Sequence, residues 1–455
     1  MLKATTAQAS TRDSGGETLA QTALNPIDEF FLHLDSPPSP CGIQLELAVS
    51  GRLDDAKLQA ALGSAIDTHP MMRARLAEHG VAHRNYHWEV GASLTELPLR
   101  IVECRNASDL DAAREHLLDH APRLDRFGPF ELLLAHLPSG DRLVLNLHHA
   151  AADATAGTRF LVSLLRAYSH RRDQVPNVDP LQARSLDRPL GDKSRAGQRR
   201  RSRELRRISR SRISTPVWIA PKSTSSADGY GFCLLHYDAS TTRRVFEARP
   251  AGTTVNDLLL GAFAVAIQRW NDAHGAPRGR IGLMMPIDIR PAQWRREIVG
   301  NFAVPTSVSL EGPALKDLPS AVRAAAARTA QIKKDSGGEL MFNLLAGMSR
   351  LPIGIKQWMI RRKPLIGNRI LDTAVVTNLG ATTAFDDLDA DAGVGVTGFW
   401  FSAPTNMPMG TSLGAVTLGG ELFLSLCYRH RQFDESSAGE FAELLERTLI
   451  DSWHR

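Results

Sequence analysis

Apolar and polar side chains alternate from Gly42 to Ser50, a period of two that predicts a strand. The period then changes. Leu58, Leu62, Ala65, Ile66 and His69 recur at helical spacing, and Pro70 marks the end of that helix. Two strand-like runs follow, Phe130 to Leu137 and Leu143 to His148, joined by the turn Pro138-Ser139-Gly140-Asp141. After a junction of small residues between His149 and Gly157, Phe160, Leu161, Leu164, Leu165 and Tyr168 place one apolar face on a second helix.

Residues 170–226 interrupt this order with many Arg, Ser and Pro and no core-facing pattern. A second half then begins. Tyr230 to Tyr237 reads as a strand, and Thr254 to Trp270 as a buried helix with Leu259, Phe263, Ala266, Ile267 and Trp270 on one stripe. Strand-like segments recur at 281–287, 373–377, 395–401, 413–418 and 422–428, with the hairpin signal Gly419-Gly420 between the last two. A final helix carries Phe441, Leu444, Leu445 and Leu449. Each half mixes strands and helices, so the pattern predicts two α/β domains. Length agrees, because 455 residues exceed what one core of about 250–300 residues accommodates. The expected divisions are a flexible tail at 1–24, an N-terminal domain at 25–185, a basic crossover linker at 186–226 and a C-terminal domain at 227–455.

Charge refines this division. The chain carries a net +5, but ten basic residues stand against the single acid Glu204 between Lys193 and Arg212, a local net of +9. The rest of the chain is therefore slightly acidic, at −4, which argues against a broad nucleic-acid-binding surface. The four cysteines are far apart and form no C-x-x-C pair, so neither a zinc cage nor a disulfide framework is indicated. The first two dozen residues lack a signal pattern and no apolar run approaches membrane-spanning length, so a cytoplasmic protein is expected.

The chemistry-bearing segment is His148-His149-Ala150-Ala151-Ala152-Asp153, at the end of an apolar strand and before a helix. Adjacent histidines at such a junction can point in opposite directions, one held by the fold and one facing a cleft. An unperturbed imidazole pKa of about 6.5 suits proton removal from a hydroxyl or amine at neutral pH. The same residues are compatible with a plain Asp N-cap beside two packed histidines, or with metal ligation.

His148-His149-x-x-x-Asp153 resembles the H-H-x-x-x-D motif of the chloramphenicol acetyltransferase-like superfamily, which includes condensation domains, alcohol acyltransferases and wax ester synthases. Further similarities run along the chain: Asn25-Pro26-Ile27-Asp28, His69-Pro70-x-x-Arg73, Thr254-Val255-Asn256-Asp257, Pro286-Ile287-Asp288-Ile289-Arg290, Gly300-Asn301 and Val376-Thr377-Asn378-Leu379-Gly380. The resemblance implies two chloramphenicol acetyltransferase-like α/β subdomains with an active-site tunnel between them. It implies His149 as general base, His148 as its motif neighbour, and Asp153 as a structural carboxylate paired with an arginine, for which Arg290 is the candidate. Asn378 is a possible substrate-binding residue, although turn chemistry also accounts for it. The implied reaction moves an acyl group from a coenzyme A or carrier-protein thioester to an alcohol or amine, with ester formation preferred and no cofactor or metal beyond the donor itself. A non-catalytic module that binds a carrier protein is the alternative. Ala154 stands where most members have Gly, and Pro129-Phe130-Glu131 where wax ester synthases favour Pro-Leu-Trp, so wax ester synthesis is not specifically implied.

Two other patterns have the wrong surroundings. Gly393 to Gly398 fits G-x-G-x-x-G but precedes Phe399-Trp400-Phe401 instead of a helix. Gly410-Thr411-Ser412-Leu413-Gly414 fits the serine-hydrolase elbow, yet a hairpin follows; a hydrolase using Ser412 is a weaker alternative. The basic segment 193–212 reads as a solvated crossover, a patch for an acidic carrier protein or coenzyme A phosphates, or a peripheral contact with anionic lipid. The last reading is helped by the apolar run Leu351 to Ile360 next to Arg361-Arg362-Lys363. No nucleic-acid partner is expected.

Overall fold

The structure is a computed structural model that describes residues 10–12, 18–36, 39–174, 178–186, 190–223, 229–294, 297–361, 371–386, 388 and 395–450. Among the described residues the strands form three sheets. The first, of five strands, runs in the order Val396–Ser402, Gly42–Val49, Arg142–His148, Phe130–His136 and Leu99–Glu103. The second, of six, runs Ala303–Leu310, Ile281–Asp288, Ala374–Thr382, Thr411–Leu418, Glu421–Arg429 and Tyr230–Tyr237. Helices pack against these sheets, giving a mixed α/β architecture whose two halves interlock.

The interlock is specific. Val396–Ser402 comes from the second half of the chain, but it pairs antiparallel with Gly42–Val49, placing Trp400 opposite Glu46. One hydrophobic core contains Ile43, Leu145 and Phe160 from the first half together with Val304, Phe342 and Phe399 from the second. A separate core lies under the six-stranded sheet, around Phe263, Trp270 and Phe441. Neither half therefore buries its apolar surface alone.

Three sequence expectations change. Thr18–Ala23, assigned to a flexible tail, is a strand of a third, four-stranded sheet and pairs with His87–Val90. Its order comes from pairing with Ser10–Arg12 on one side and His87–Val90 on the other and from the burial of Leu19, neither of which a short Thr-containing segment signals locally. Arg195–Ser211, assigned to a crossover linker, is a 17-residue helix capped by Ser194. Its inner face packs through ion pairs, so an apolar pattern does not reveal it. Ser412 is fully buried within the strand Thr411–Leu418, and its hydroxyl donates to the Ala403 carbonyl at 2.7 Å. With a strand after it where an elbow requires a helix, Ser412 is a structural residue. Gly395 to Gly398 likewise enters the strand Val396–Ser402; Gly393 lies outside the described residues.

Candidate active site

Antiparallel pairing aligns His148, the last residue of its strand, with Gly42 at the start of the neighbouring strand. The chain then turns through Ala150 to Ala152 into the helix Ala154–Tyr168, whose N-cap is Asp153. Gly157 lets this helix approach the sheet, since a Cβ there would come within 2.8 Å of Leu45 and Leu147. Ala154 opens the helix without a left-handed backbone, which explains why this chain tolerates a Cβ at that position.

The two histidines have different partners. His148 accepts a hydrogen bond at Nδ1 from the Ala150 N–H at 3.1 Å, while its Nε2 lies 3.6 Å from an Asp35 oxygen. Burial works to raise the Asp35 carboxyl, but His148 and the Cys41 N–H outweigh it and hold the group below the ordinary aspartate range. His149 instead stacks on Phe31, with ring centroids 3.5 Å apart and planes 13° from parallel. Its backbone is clamped on both sides: the N–H donates to the Cys41 carbonyl at 2.8 Å, and its carbonyl accepts from the Asn301 amide at 2.7 Å. Its Nδ1 is buried, and the backbone of His149 and Ala152 lies against the ring. Burial pushes the imidazole from 6.5 down to about 4, so the ring is neutral and able to accept a proton at pH 7.

Asp153 and Arg290 meet. One guanidinium nitrogen of Arg290, Nη2, donates to both carboxylate oxygens at 2.9 Å and to the Gly300 carbonyl at 3.1 Å. The same carboxylate accepts from the Ala156 N–H at 2.9 Å and the Phe302 N–H at 2.8 Å. Asp153 thus caps the helix and also latches the motif to the second half of the chain. It is buried and accepts four donor contacts, which hold the carboxylate in place.

Phe31 is positioned just as firmly. Its helix, Pro26–Leu34, begins with a capping box formed by Asn25 and Asp28. Asp28 is buried against Arg184 at 2.6 Å and the Trp88 indole N–H at 3.2 Å, and Glu29 pairs with buried Lys356 at 2.7 Å. Burial nevertheless raises these carboxyls, to about 6 for Asp28 and about 7 for Glu29. The site is closed over His149, which is 9% exposed. The open clefts lined by Arg75, His87 and Glu89 and by Arg269, Asp272 and Lys316 include no motif residue.

Asn378 is not joined to the histidine pair by any hydrogen bond among the described residues. Its Oδ1 accepts from the Gly380 N–H at 2.8 Å where the backbone turns left-handed, at an irregularity in the pairing with Thr411–Leu418. Asp257 caps its own helix through Thr254 and accepts from the Thr329 hydroxyl at 2.7 Å, which gives it a structural role. Phe31 and Asp35 carried no role in the sequence, and Asn301 stood there only as part of a landmark. More than a hundred residues separate each from the histidines, and no local periodicity connects them.

The Condensation domain family model matches residues 24–351. An uncharacterized protein of Mycobacterium tuberculosis is 32% identical over 444 residues, spanning 95% of this chain and 99% of that one. A probable non-canonical nonribosomal peptide synthetase of Salinispora arenicola is 30% identical over 168 residues, 33% of this chain and 2% of that protein. In fold, the chain is similar to the trichothecene 15-O-acetyltransferase of Fusarium sporotrichioides, with a TM-score of 0.70, 11% identity and 97% of each chain covered. It is also similar to a cyclization-docking bidomain of a Sorangium cellulosum peptide synthetase, with a TM-score of 0.66, 16% identity, and 96% and 85% of the two chains covered. With its histidine pair, helix-capping aspartate and interlocked α/β halves, the chain belongs to the condensation-domain family.

Proposed function

We propose that the protein is an acyltransferase that moves an acyl group from a coenzyme A or carrier-protein thioester to an alcohol or amine, with an alcohol preferred. The observation that carries this reading is the environment of His149: a neutral imidazole backed by Phe31, clamped through its backbone, with Nδ1 enclosed. Nε2 is then the nitrogen left to meet a substrate. It accepts the proton of the acceptor hydroxyl or amine while that oxygen or nitrogen forms a bond to the thioester carbonyl carbon. Collapse of the tetrahedral intermediate breaks the carbon–sulfur bond, and the proton passes from His149 to the departing thiolate. The net products are an ester or amide and a free thiol. Holding both substrates beside one base supplies proximity, and the base contributes about 10²–10⁴-fold. Arg290 and Asp153 act as positioning residues. Family membership and the acetyltransferase-like fold support a transferase over the Ser412 hydrolase reading.

Intact-mass detection of acyl loss from candidate coenzyme A and carrier-protein thioesters, with a panel of alcohols and amines, tests the proposal. Acyl loss that requires an acceptor and gives the acylated acceptor is expected. Free acid formed without any acceptor, or carrier binding with no turnover across the panel, contradicts it.

A further inference from the structure

The helix Arg195–Ser211 has two unlike faces. At about 100° of rotation per residue, Arg195, Arg199, Arg206 and Arg210 fall within a stripe about 60° wide, with Glu204 on the opposite side. The inner face is closed by ion pairs: buried Glu204 accepts from Arg328 at 3.0 and 2.6 Å, and Arg203 and Arg207 reach the Asp335 carboxylate. The four outer arginines are exposed and, among the described residues, form no salt bridge. Packing therefore accounts for the inner charges and leaves the outer stripe without an acidic partner among the described residues, with Arg206 donating to the Ser202 carbonyl of its own helix at 3.2 Å.

The helix Gly337–Ser349 packs against it, and Ile353–Arg361 follows in the chain after Arg350, Leu351 and Pro352. Hydrogen bonds of 2.9 and 3.0 Å between Asn343 and Leu190 tie the first of them to the segment entering the basic helix. Leu344 and Met348, one helical turn apart, are 42% and 45% exposed, and Ile355 and Trp358 on the next helix are 46% and 57% exposed. Isolated exposed apolar residues are ordinary. Paired apolar ridges on consecutive helices, the first of which packs on the basic helix, have the composition of an interfacial surface.

We propose that these three helices form a docking face for an anionic lipid bilayer. The arginines meet headgroup phosphates, for which the guanidinium fork is well shaped, and the apolar ridges enter the interface. The combination selects this partner. Nucleic acid complements the arginines but offers nothing to exposed Leu, Met and Ile, whereas a bilayer presents negative charge and an apolar phase together and adapts to any surface shape. Among the described residues no helix is long and apolar enough to cross a membrane, so the contact is peripheral. The proposal is independent of the acyl-transfer reading.

Co-sedimentation of the full chain with phosphatidylglycerol-rich vesicles, compared with pure phosphatidylcholine vesicles, tests it. Binding to the anionic vesicles is expected, and it should weaken as salt rises. Changing the four outer arginines to glutamine should weaken binding by about a hundredfold or more, while lysine at the same positions should retain most of it. Met348→Ser with Ile355→Ser should weaken it about tenfold. Circular dichroism of the glutamine variant should match the parent, because none of those arginines holds the fold through an ion pair. Absence of binding, equal binding to both vesicles, or undiminished binding by the glutamine variant overturns the proposal. So does capture by an acidic protein or duplex DNA where anionic vesicles fail.

Discussion

Replacing Arg290 with methionine isolates the latch between the two halves. Methionine keeps much of the side-chain volume but removes the donor that reaches both oxygens of Asp153 at 2.9 Å and the Gly300 carbonyl at 3.1 Å. Asp153 retains the Ala156 and Phe302 N–H groups, yet its charge is left buried without a cation. Removing one member of such a pair costs about 3–5 kcal/mol. For a chain of 455 residues unfolding in one transition, that corresponds to a fall of about 3–5 °C in Tm. Urea unfolding followed by circular dichroism gives the free energy directly. The double variant Asp153→Asn with Arg290→Met should lose less than the two single changes together, because no buried charge is orphaned. A loss below about 1 kcal/mol for Arg290→Met, or strict additivity in the double variant, refutes the latch.

Other outcomes follow from the same geometry. His149 has its proton affinity lowered to about 4, so the folded state binds fewer protons than the unfolded state between pH 4 and 6.5. Its contribution to stability is therefore lost as pH falls through that window, and the acid limb of kcat/KM should lie near pH 4, with no inflection near 6.5. Phe31→Ala uncovers the ring and should move that limb upward toward 6.5, with Phe31→Leu moving it less; an unmoved limb contradicts the burial argument. Ser412→Ala should leave acyl transfer intact while lowering stability by about 1–2 kcal/mol, since the buried Ala403 carbonyl loses its donor. Abolished turnover in a folded Ser412→Ala protein contradicts its structural role.

The parts of this protein that the sequence discloses are those governed by local periodicity. Tyr230–Tyr237 and the strands flanking Gly419-Gly420 follow directly from alternation and turn chemistry, as does the strand entering His148. Arg195–Ser211 escapes that reading because its inner face is built from Glu204 and paired arginines, which look like solvent-facing residues in a pattern of apolar positions. The exchange of Val396–Ser402 into the first sheet is equally silent, since alternation identifies a strand but does not name its neighbour. The histidine pair and Asp153 announce themselves through spacing, and family resemblance points to Arg290. The stacking of Phe31 on His149 depends on how two distant segments converge, so only the folded chain reveals it.

Proton removal by His149 is tested by measuring thiol release from an acyl thioester, with a competent acceptor present, for the parent protein and for His149→Ala. A folded variant whose rate falls by about 10²–10⁴-fold is expected. Turnover at the parental rate by His149→Ala contradicts it.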